Sequence, residues 1–231
     1  MLPSSTVENY LKAIHQAQSR IDGERERALV PMGQLSSALG VAPGTATTMV
    51  KTLADSGLVV YEPYSGVRLT PAGAKLAAMV LRRHRLVELF LVRVMGMSWA
   101  EVHDEAEQLE HAVSDRLIDR IDEMLGRPAV DPHGDPIPDH EGVIQAAASD
   151  SLLNCPLNEP LVVSRVLDQD SEFLRFIEQS HLKPGQAIVV ESRNDAADRV
   201  MVRVDGRVIA LGTRAASKLM VERAPASATR G

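Results

Sequence analysis

The chain has 231 residues, room for one to three domains, and its 45% hydrophobic content supports real cores although aromatic residues make up only 3%. No run of about 18 apolar residues exists, which excludes a membrane span, and the single cysteine, Cys155, excludes an internal disulfide and a thiolate-rich zinc site. The net charge of −6 is uneven: residues 1–72 are balanced and residues 73–126 are acidic, which argues against a uniformly basic nucleic-acid binder but suits a chain whose middle receives cations.

At the N-terminus, Met1-Leu-Pro-Ser-Ser-Thr6 has no basic region followed by an apolar stretch, so no signal peptide is read, and the lone cysteine makes a reducing cytoplasm the expected location. A helix is predicted over Val7–Ala17, with Val7, Tyr10, Leu11 and Ile14 on one face. Gln18–Arg27 is polar and reads as a loop or frayed helix end. Met32–Leu39 is a short helix stopped by Gly40, and Pro43-Gly44 makes the turn into a longer helix over Thr45–Ser56, ended by Gly57. Leu58–Tyr61 and Val67–Thr70 read as two strands joined by Glu62-Pro-Tyr-Ser-Gly66. This order is that of a winged helix-turn-helix, whose second helix enters a major groove while the ribbon lies against the backbone or minor groove. Thr45, Thr47, Thr48 and Lys51 form the exposed edge of that helix, with Tyr64 and Arg68 on the ribbon. A hydroxyl can reach a base edge or phosphate, and a threonine methyl can pack on a thymine methyl. The competing role for such a module is protein contact.

Thr70-Pro-Ala-Gly opens a helix over Pro71–Val94, apolar on more than one face from Leu81 on, which points to a subunit interface. Ser98-Trp-Ala-Glu101 reads as a capping box for the next helix. That segment, Val102-His-Asp-Glu-Ala-Glu-Gln-Leu-Glu-His111, places His103, Glu107, Glu110 and His111 on one helical stripe. Two imidazoles and two carboxylates aimed at a common point are what a divalent ion requires. His84 and Glu88 form a second pair one turn apart. The bland alternative is a solvated acidic face. Ser114-Asp115 starts a further helix with Leu117, Ile118, Ile121 and Leu125 inward and Gly126 as its stop.

Arg127–Leu161, rich in proline, reads as a linker with at most a short helix near Val143–Ala148, and its Asp131-Pro-His133-Gly-Asp135 is either a further ligand cluster or loop decoration. From Leu161 the pattern turns to β: strands at Leu161–Leu167, Ala187–Glu191, Val200–Val204 and Val208–Leu211, a hairpin turn at Asp205-Gly206 and a short helix over Ser171–Gln179 with Phe173, Leu174, Phe176 and Ile177 buried. A segment of this size and pattern is expected to be a small SH3-like barrel. Ala224–Gly231 reads as a disordered tail. The fold class is therefore mainly α with a small β domain. Its expected parts are a winged helix-turn-helix domain over 1–72, a helical dimerisation and metal-binding domain over 73–140, a linker over 141–160, and the SH3-like domain over 161–223.

On Val7–Ile14, Thr45–Tyr61, Arg83–Glu88, Val102–His111, Asp131–Pro138, Arg165–Asp170 and Leu182–Gly185, the chain resembles the diphtheria-toxin-repressor family of metal-dependent transcriptional regulators, in its three-domain form. The resemblance implies a homodimer, a Mn²⁺ or Fe²⁺ corepressor and a palindromic double-stranded DNA operator, with no enzymatic activity and no membrane partner. Carried over residue by residue, it assigns a primary metal site to Asn9, Glu107, Glu110 and His111, with His84 nearby. Asn9 stands where iron-sensing members have methionine and manganese-sensing members usually have aspartate, and Glu107 stands where iron sensors have cysteine. Both exchanges trade sulfur for oxygen and favour Mn²⁺. A second site would use Glu88 with His103 and residues from the third domain, or Glu88 with Asp131, His133 and an acid such as Asp168, with Glu172 as a near neighbour. In the mechanism this implies, Glu107 and Glu110 repel each other without metal and leave the joint to the first helix loose. The ion closes that joint and fixes the spacing of two recognition helices, so metal and DNA favour one state. The competing readings are a winged-helix repressor gated by a small organic ligand or by oxidation, and a metallohydrolase. Against the second, His103-Asp-Glu-Ala-Glu107 breaks the His-Glu-x-x-His pattern.

Overall fold

The computed structural model describes residues 4–19, 28–145 and 148–224. The chain forms two compact units, one of Met1–His84, Glu110–Val113 and Pro138–Ile144, the other of Arg85–Leu109, Ser114–Ile137 and Gln145–Gly231. Most of Gln18–Arg27, and nearly all of the tail read as disordered, lie outside the described residues.

The first unit opens with α1 (Ser5–Ser19), α2 (Met32–Ala38) and α3 (Pro43–Asp55), followed by a ribbon of β1 (Val59–Glu62) and β2 (Gly66–Leu69). Apolar side chains recurring at helical spacing, Tyr10, Leu11 and Ile14 from α1 and Val50 and Leu53 from α3, meet Leu35 and Val67 in one core. Pro43 occupies the first turn of α3, where its missing N–H costs nothing, and Gly57 at φ 72° turns the chain out of the helix. The ribbon is antiparallel with Val59 opposite Leu69, and Val30 adds a single bridge to Val67. Gln18 ties α1 to the ribbon, because its Oε1 accepts from the Leu69 N–H at 3.1 Å.

α4 (Pro71–Arg93) starts where Thr70 Oγ1 accepts from the Gly73 N–H, and the division between the two units falls inside this helix. Gly73 must be glycine: a Cβ there would meet the Leu58 carbonyl oxygen at 2.0 Å. In the second unit come α5 (Val102–Leu109) and α6 (Asp115–Met124). The expected capping box is not formed. Ser98 Oγ accepts from the Ala100 N–H instead, and Glu101 pairs with Arg175 at 2.7 Å. Ser114 does cap α6, accepting from the Leu117 N–H, but Leu117 itself is exposed rather than inward.

The second unit's β strands are β3 (Asp150–Ser151), β4 (Pro160–Val166), β5 (Ala187–Asn194), β6 (Arg199–Val204), β7 (Arg207–Leu211) and β8 (Leu219–Arg223). With them come α7 (Ser171–Gln179), a 3-10 turn at Asp195–Ala197 and α8 (Thr213–Ala216). The sheet order is β3-β8-β4-β5-β6-β7, with every neighbouring pair antiparallel. β3 and β7 are its two edges and do not pair, so the sheet is open and the expected SH3-like barrel is not formed. Strand patterning counts strands, but closure requires the edges to meet in register, and a two-residue β3 offers almost no ladder to close on. Asp205 and Gly206, at φ 47° and 75°, make the tight turn between β6 and β7. Leu174 and Ile177 of α7 are fully buried in the unit's core, whereas Phe176 is exposed. Val143–Gln145 is not helical.

Candidate metal centre

In the first unit, α1, the middle of α4 and the turn after α5 bring charged groups together. The helix expected to carry all four stripe residues stops at Leu109, so Glu110 and His111 lie in the turn beyond it. His111 Nε2 lies 2.7 Å from Asn9 Oδ1, and its Nδ1 lies 2.6 Å from Glu8 Oε2. Arg83 holds the other Glu8 oxygen at 2.5 Å. Glu110, fully buried, has His84 Nδ1 at 2.6 Å, and the Lys12 ammonium donates to both of its oxygens at 2.8 Å. Burial pushes the Glu110 carboxyl up, but hydrogen bonds and charge from His84 and Lys12 outweigh it and hold the group below the ordinary carboxylate range. The expected loose joint between repelling carboxylates therefore does not describe Glu110, which is already neutralised by a cation on α1.

Glu8, Lys12 and Arg83 were not legible as site residues. Glu8 and Lys12 are four apart on α1, a spacing that ordinarily signals a local ion pair, yet each binds a partner far along the chain. The available clue was that both lie on one edge of the stripe, carrying Leu11, that faces the core.

A second cluster lies in the second unit. Ligand atoms of Glu88, Asp131 and His133, all buried, lie within 4.8 Å of one another. Asp131 Oδ1 accepts from the backbone N–H of His133 and of Asp135, which folds the Pro132-His133-Gly134 loop over the carboxylate. Gly134, at φ 86°, lets that loop approach the Ser164 carbonyl, where a Cβ would come within 2.0 Å. His133 Nε2 donates to the Trp99 carbonyl at 2.9 Å, which directs a neutral ring's free lone pair to Nδ1, 3.7 Å from Glu88 Oε2. Asp131 Oδ2 and His133 Nδ1 are buried without a hydrogen-bond partner, although the Arg85 guanidinium lies 3.8 Å from the former. Burial, Asp135 and Glu88 push the Asp131 carboxyl up to about 8. Burial lowers His133, but Glu88 and Asp131 more than reverse this and raise it.

The remaining predicted ligands fall around this cluster. His103 Nδ1 lies 3.2 Å from Glu88 Oε1, and Glu107, partly exposed on α5, lies 3.7 Å from His103 Nε2. Glu88 thus faces both His103 and His133, so the two alternative versions of a second site share one carboxylate. Asp168 is paired with Lys218, and that cation offsets the effect of partial burial to hold its carboxyl low. Glu172 is exposed in the first turn of α7. Neither joins the cluster.

Both donor sets combine carboxylate or amide oxygen with imidazole nitrogen and contain no sulfur, which fits a divalent first-row ion that tolerates hard donors. Lys12 Nζ, already seated between Glu110 and His84, shows that the first set holds positive charge; in the second, Arg85 approaches Asp131 and the buried His133 Nδ1 is left without a hydrogen-bond partner.

On α3, Thr45, Thr48 and Lys51 are exposed and Thr47 is half-buried. The Thr47 and Thr48 hydroxyls donate to the Pro43 and Gly44 carbonyls, leaving oxygen lone pairs and methyl groups for a ligand. Tyr64 is fully exposed at the ribbon tip, at φ 67°, and Arg68 is half-buried on β2.

Residues 3–67 match the iron dependent repressor N-terminal DNA binding domain, residues 70–139 the iron dependent repressor metal binding and dimerisation domain, and residues 151–223 the FeoA domain. The chain is 28% identical over 229 residues to the diphtheria toxin repressor of Corynebacterium glutamicum, covering 94% of this chain and 96% of that one. It is 32% identical over 124 residues to the regulator MntR of Lysinibacillus sphaericus, covering 54% of this chain and 84% of that one. A solved structure of a manganese-dependent transcriptional repressor in complex with manganese superposes with a TM-score of 0.84 at 38% identity, over 94% of this chain and 100% of that one. With this fold, these donor sets and these matches, the chain belongs to the iron-dependent repressor family of DNA-binding transcriptional regulators.

Proposed function

We propose that the protein is a Mn²⁺-dependent transcriptional repressor of metal homeostasis that binds a palindromic operator as a homodimer. It acts by binding, not by catalysis. The observation that carries this reading is the sulfur-free cluster of Asn9, Glu110, His84 and His111, built partly on α1 of the DNA-binding unit. The manganese held by the related repressor and the absence of sulfur here both favour Mn²⁺ over Fe²⁺, the second candidate. Residues 1–72 serve as the DNA-binding domain, 73–140 as the dimerisation and metal-binding domain, 141–160 as a linker and 161–223 as a β domain. The metal ligands are Asn9, His84, Glu107, Glu110 and His111 at one site and Glu88, Asp131 and His133, with His103, at the other. Thr45, Thr47, Thr48, Lys51, Tyr64 and Arg68 face DNA. No described helix is long and apolar enough to cross a membrane, and a chromosomal target places the protein in the cytoplasm.

When bound, the ion supplies positive charge that gathers the carboxylate, amide and imidazole donors. Asn9 and the His111 ring then hold α1 to the turn after α5, and Gln18 passes that constraint to the ribbon. α3 presents its threonines and Lys51 from the same unit, so DNA binding and ligand closure favour one arrangement. Selection from a random duplex pool with and without Mn²⁺ tests the reading. A palindrome enriched only with Mn²⁺, and released by chelator or by Glu110→Ala, is expected. Enrichment indifferent to chelator overturns it, and enrichment with Fe²⁺ alone reassigns the metal.

A further inference from the structure

Lys12 occupies an unusual place. Its side chain is buried, its ammonium is 2.8 Å from each Glu110 oxygen and 3.5 Å from His84 Nδ1, and His84 Nδ1 is itself 2.6 Å from Glu110. An ammonium held by both oxygens of one carboxylate and adjoining an imidazole sits where a bound metal ion would. Burying a lysine–glutamate pair costs desolvation that its attraction barely repays, so stability alone is a weak reason for it.

We propose that Lys12 is a built-in cation at the primary site, which a divalent ion must displace, and that it sets the ion concentration at which the site loads. This rests on the metal-dependent reading above. Glu110 cannot close both of its oxygens on the ammonium and also coordinate an ion, and the two positive charges repel strongly in a buried setting. Loading therefore couples release of Lys12 from Glu110 to capture of Glu110 by the ion. Lys12 is on α1 beside Asn9, so the exchange takes place on the helix that joins the site to the DNA-binding core. Without metal, α1 is held in place by its own lysine. With metal, the lysine moves out and Asn9 takes over.

The test is Mn²⁺ titration of the full chain without DNA, followed by the electron paramagnetic resonance of free Mn²⁺, in a His133→Ala background that removes the other cluster. Lys12→Met and Lys12→Gln are expected to tighten Mn²⁺ binding at least about tenfold, and Lys12→Arg, which keeps the charge, to stay near the parent. The glutamine variant keeps the position polar should methionine disturb packing. Mn²⁺ should also raise the melting temperature of the uncharged variants more than that of the parent. Unchanged or weaker binding in both uncharged variants overturns the proposal while leaving the metal reading intact. If Glu110→Gln binds Mn²⁺ as well as the parent, the metal reading itself falls, and the role of Lys12 with it.

Discussion

His133 and Trp99 make the second cluster observable from within. Their rings stack with centroids 5.3 Å apart, His133 Nε2 donates to the Trp99 carbonyl, and Trp99 is the chain's single tryptophan. A paramagnetic ion seated at Glu88, Asp131 and His133 lies within quenching distance of that indole. Adding Mn²⁺ is therefore expected to lower the intrinsic tryptophan fluorescence of the wild type and of Glu110→Gln, and to leave that of an Asp131→Asn, His133→Ala double variant nearly unchanged. Quenching of equal size in the double variant would place the ion elsewhere. The same residues mark the limit of sequence reading at this scale. Asp131 and His133 were visible as metal-binding types in a loop that could have been mere decoration. That they are buried, and that Gly134 exists to let their loop close on Ser164, depends on a backbone approach between segments about thirty residues apart. No local pattern encodes such an approach.

At the level of elements, periodicity and punctuation predicted most helices and strands because each signal is local. Ser171–Gln179 is the clearest case, with Asp170 capping the helix through its carboxylate and two fully buried residues, Leu174 and Ile177, three apart. β3, α8 and β8 escaped detection; the first two, of two and four residues, are too short to show a period, and the five-residue β8 runs straight into the polar tail. The corner before α8 relies on a long-range cap instead. Asp198, in a left-handed conformation at φ 46°, accepts from the Thr213 hydroxyl and from its backbone N–H at 2.9 Å. These two hydrogen bonds hold the Asp198 carboxyl below the ordinary carboxylate range. A depressed carboxyl pKa stabilises the fold above the unfolded-state value and loses that contribution as pH falls through the folded-state value. Asp198→Asn keeps the shape and tolerates the backbone angle but removes the charge. It should melt below the wild type at pH 6, with the gap narrowing as pH falls toward 3. A gap independent of pH would mean that the carboxylate's charge does not matter at this corner.

For the whole molecule, the weak point of any single DNA-binding unit is its charge. Lys51 is the one cation on α3, and residues 1–72 are electrically balanced, so one unit alone grips the phosphate backbone weakly. Two units on a palindrome recover the affinity through effective concentration, which requires a subunit interface. The apolar stretch of α4 was the expected interface; Leu86 and Leu89 are buried within the chain itself, whereas Phe90 and Val92 are half-buried and Val94 is exposed. Amphipathicity shows that a face is covered without saying whether the cover is the same chain or another. A second uncovered apolar pair lies on α6, where Leu117 and Met124, two turns apart, are 51% and 65% exposed. Leu117→Asp with Met124→Asp is expected to convert a dimer to a monomer by light scattering, while Mn²⁺ binding persists, since neither residue adjoins the ligand clusters. Affinity for a palindromic duplex should then fall by about 100-fold or more, and affinity for an isolated half-site should change little. A double variant that remains dimeric moves the interface off α6. One that becomes monomeric yet holds the palindrome as tightly as before removes the need for two-fold symmetry in operator binding.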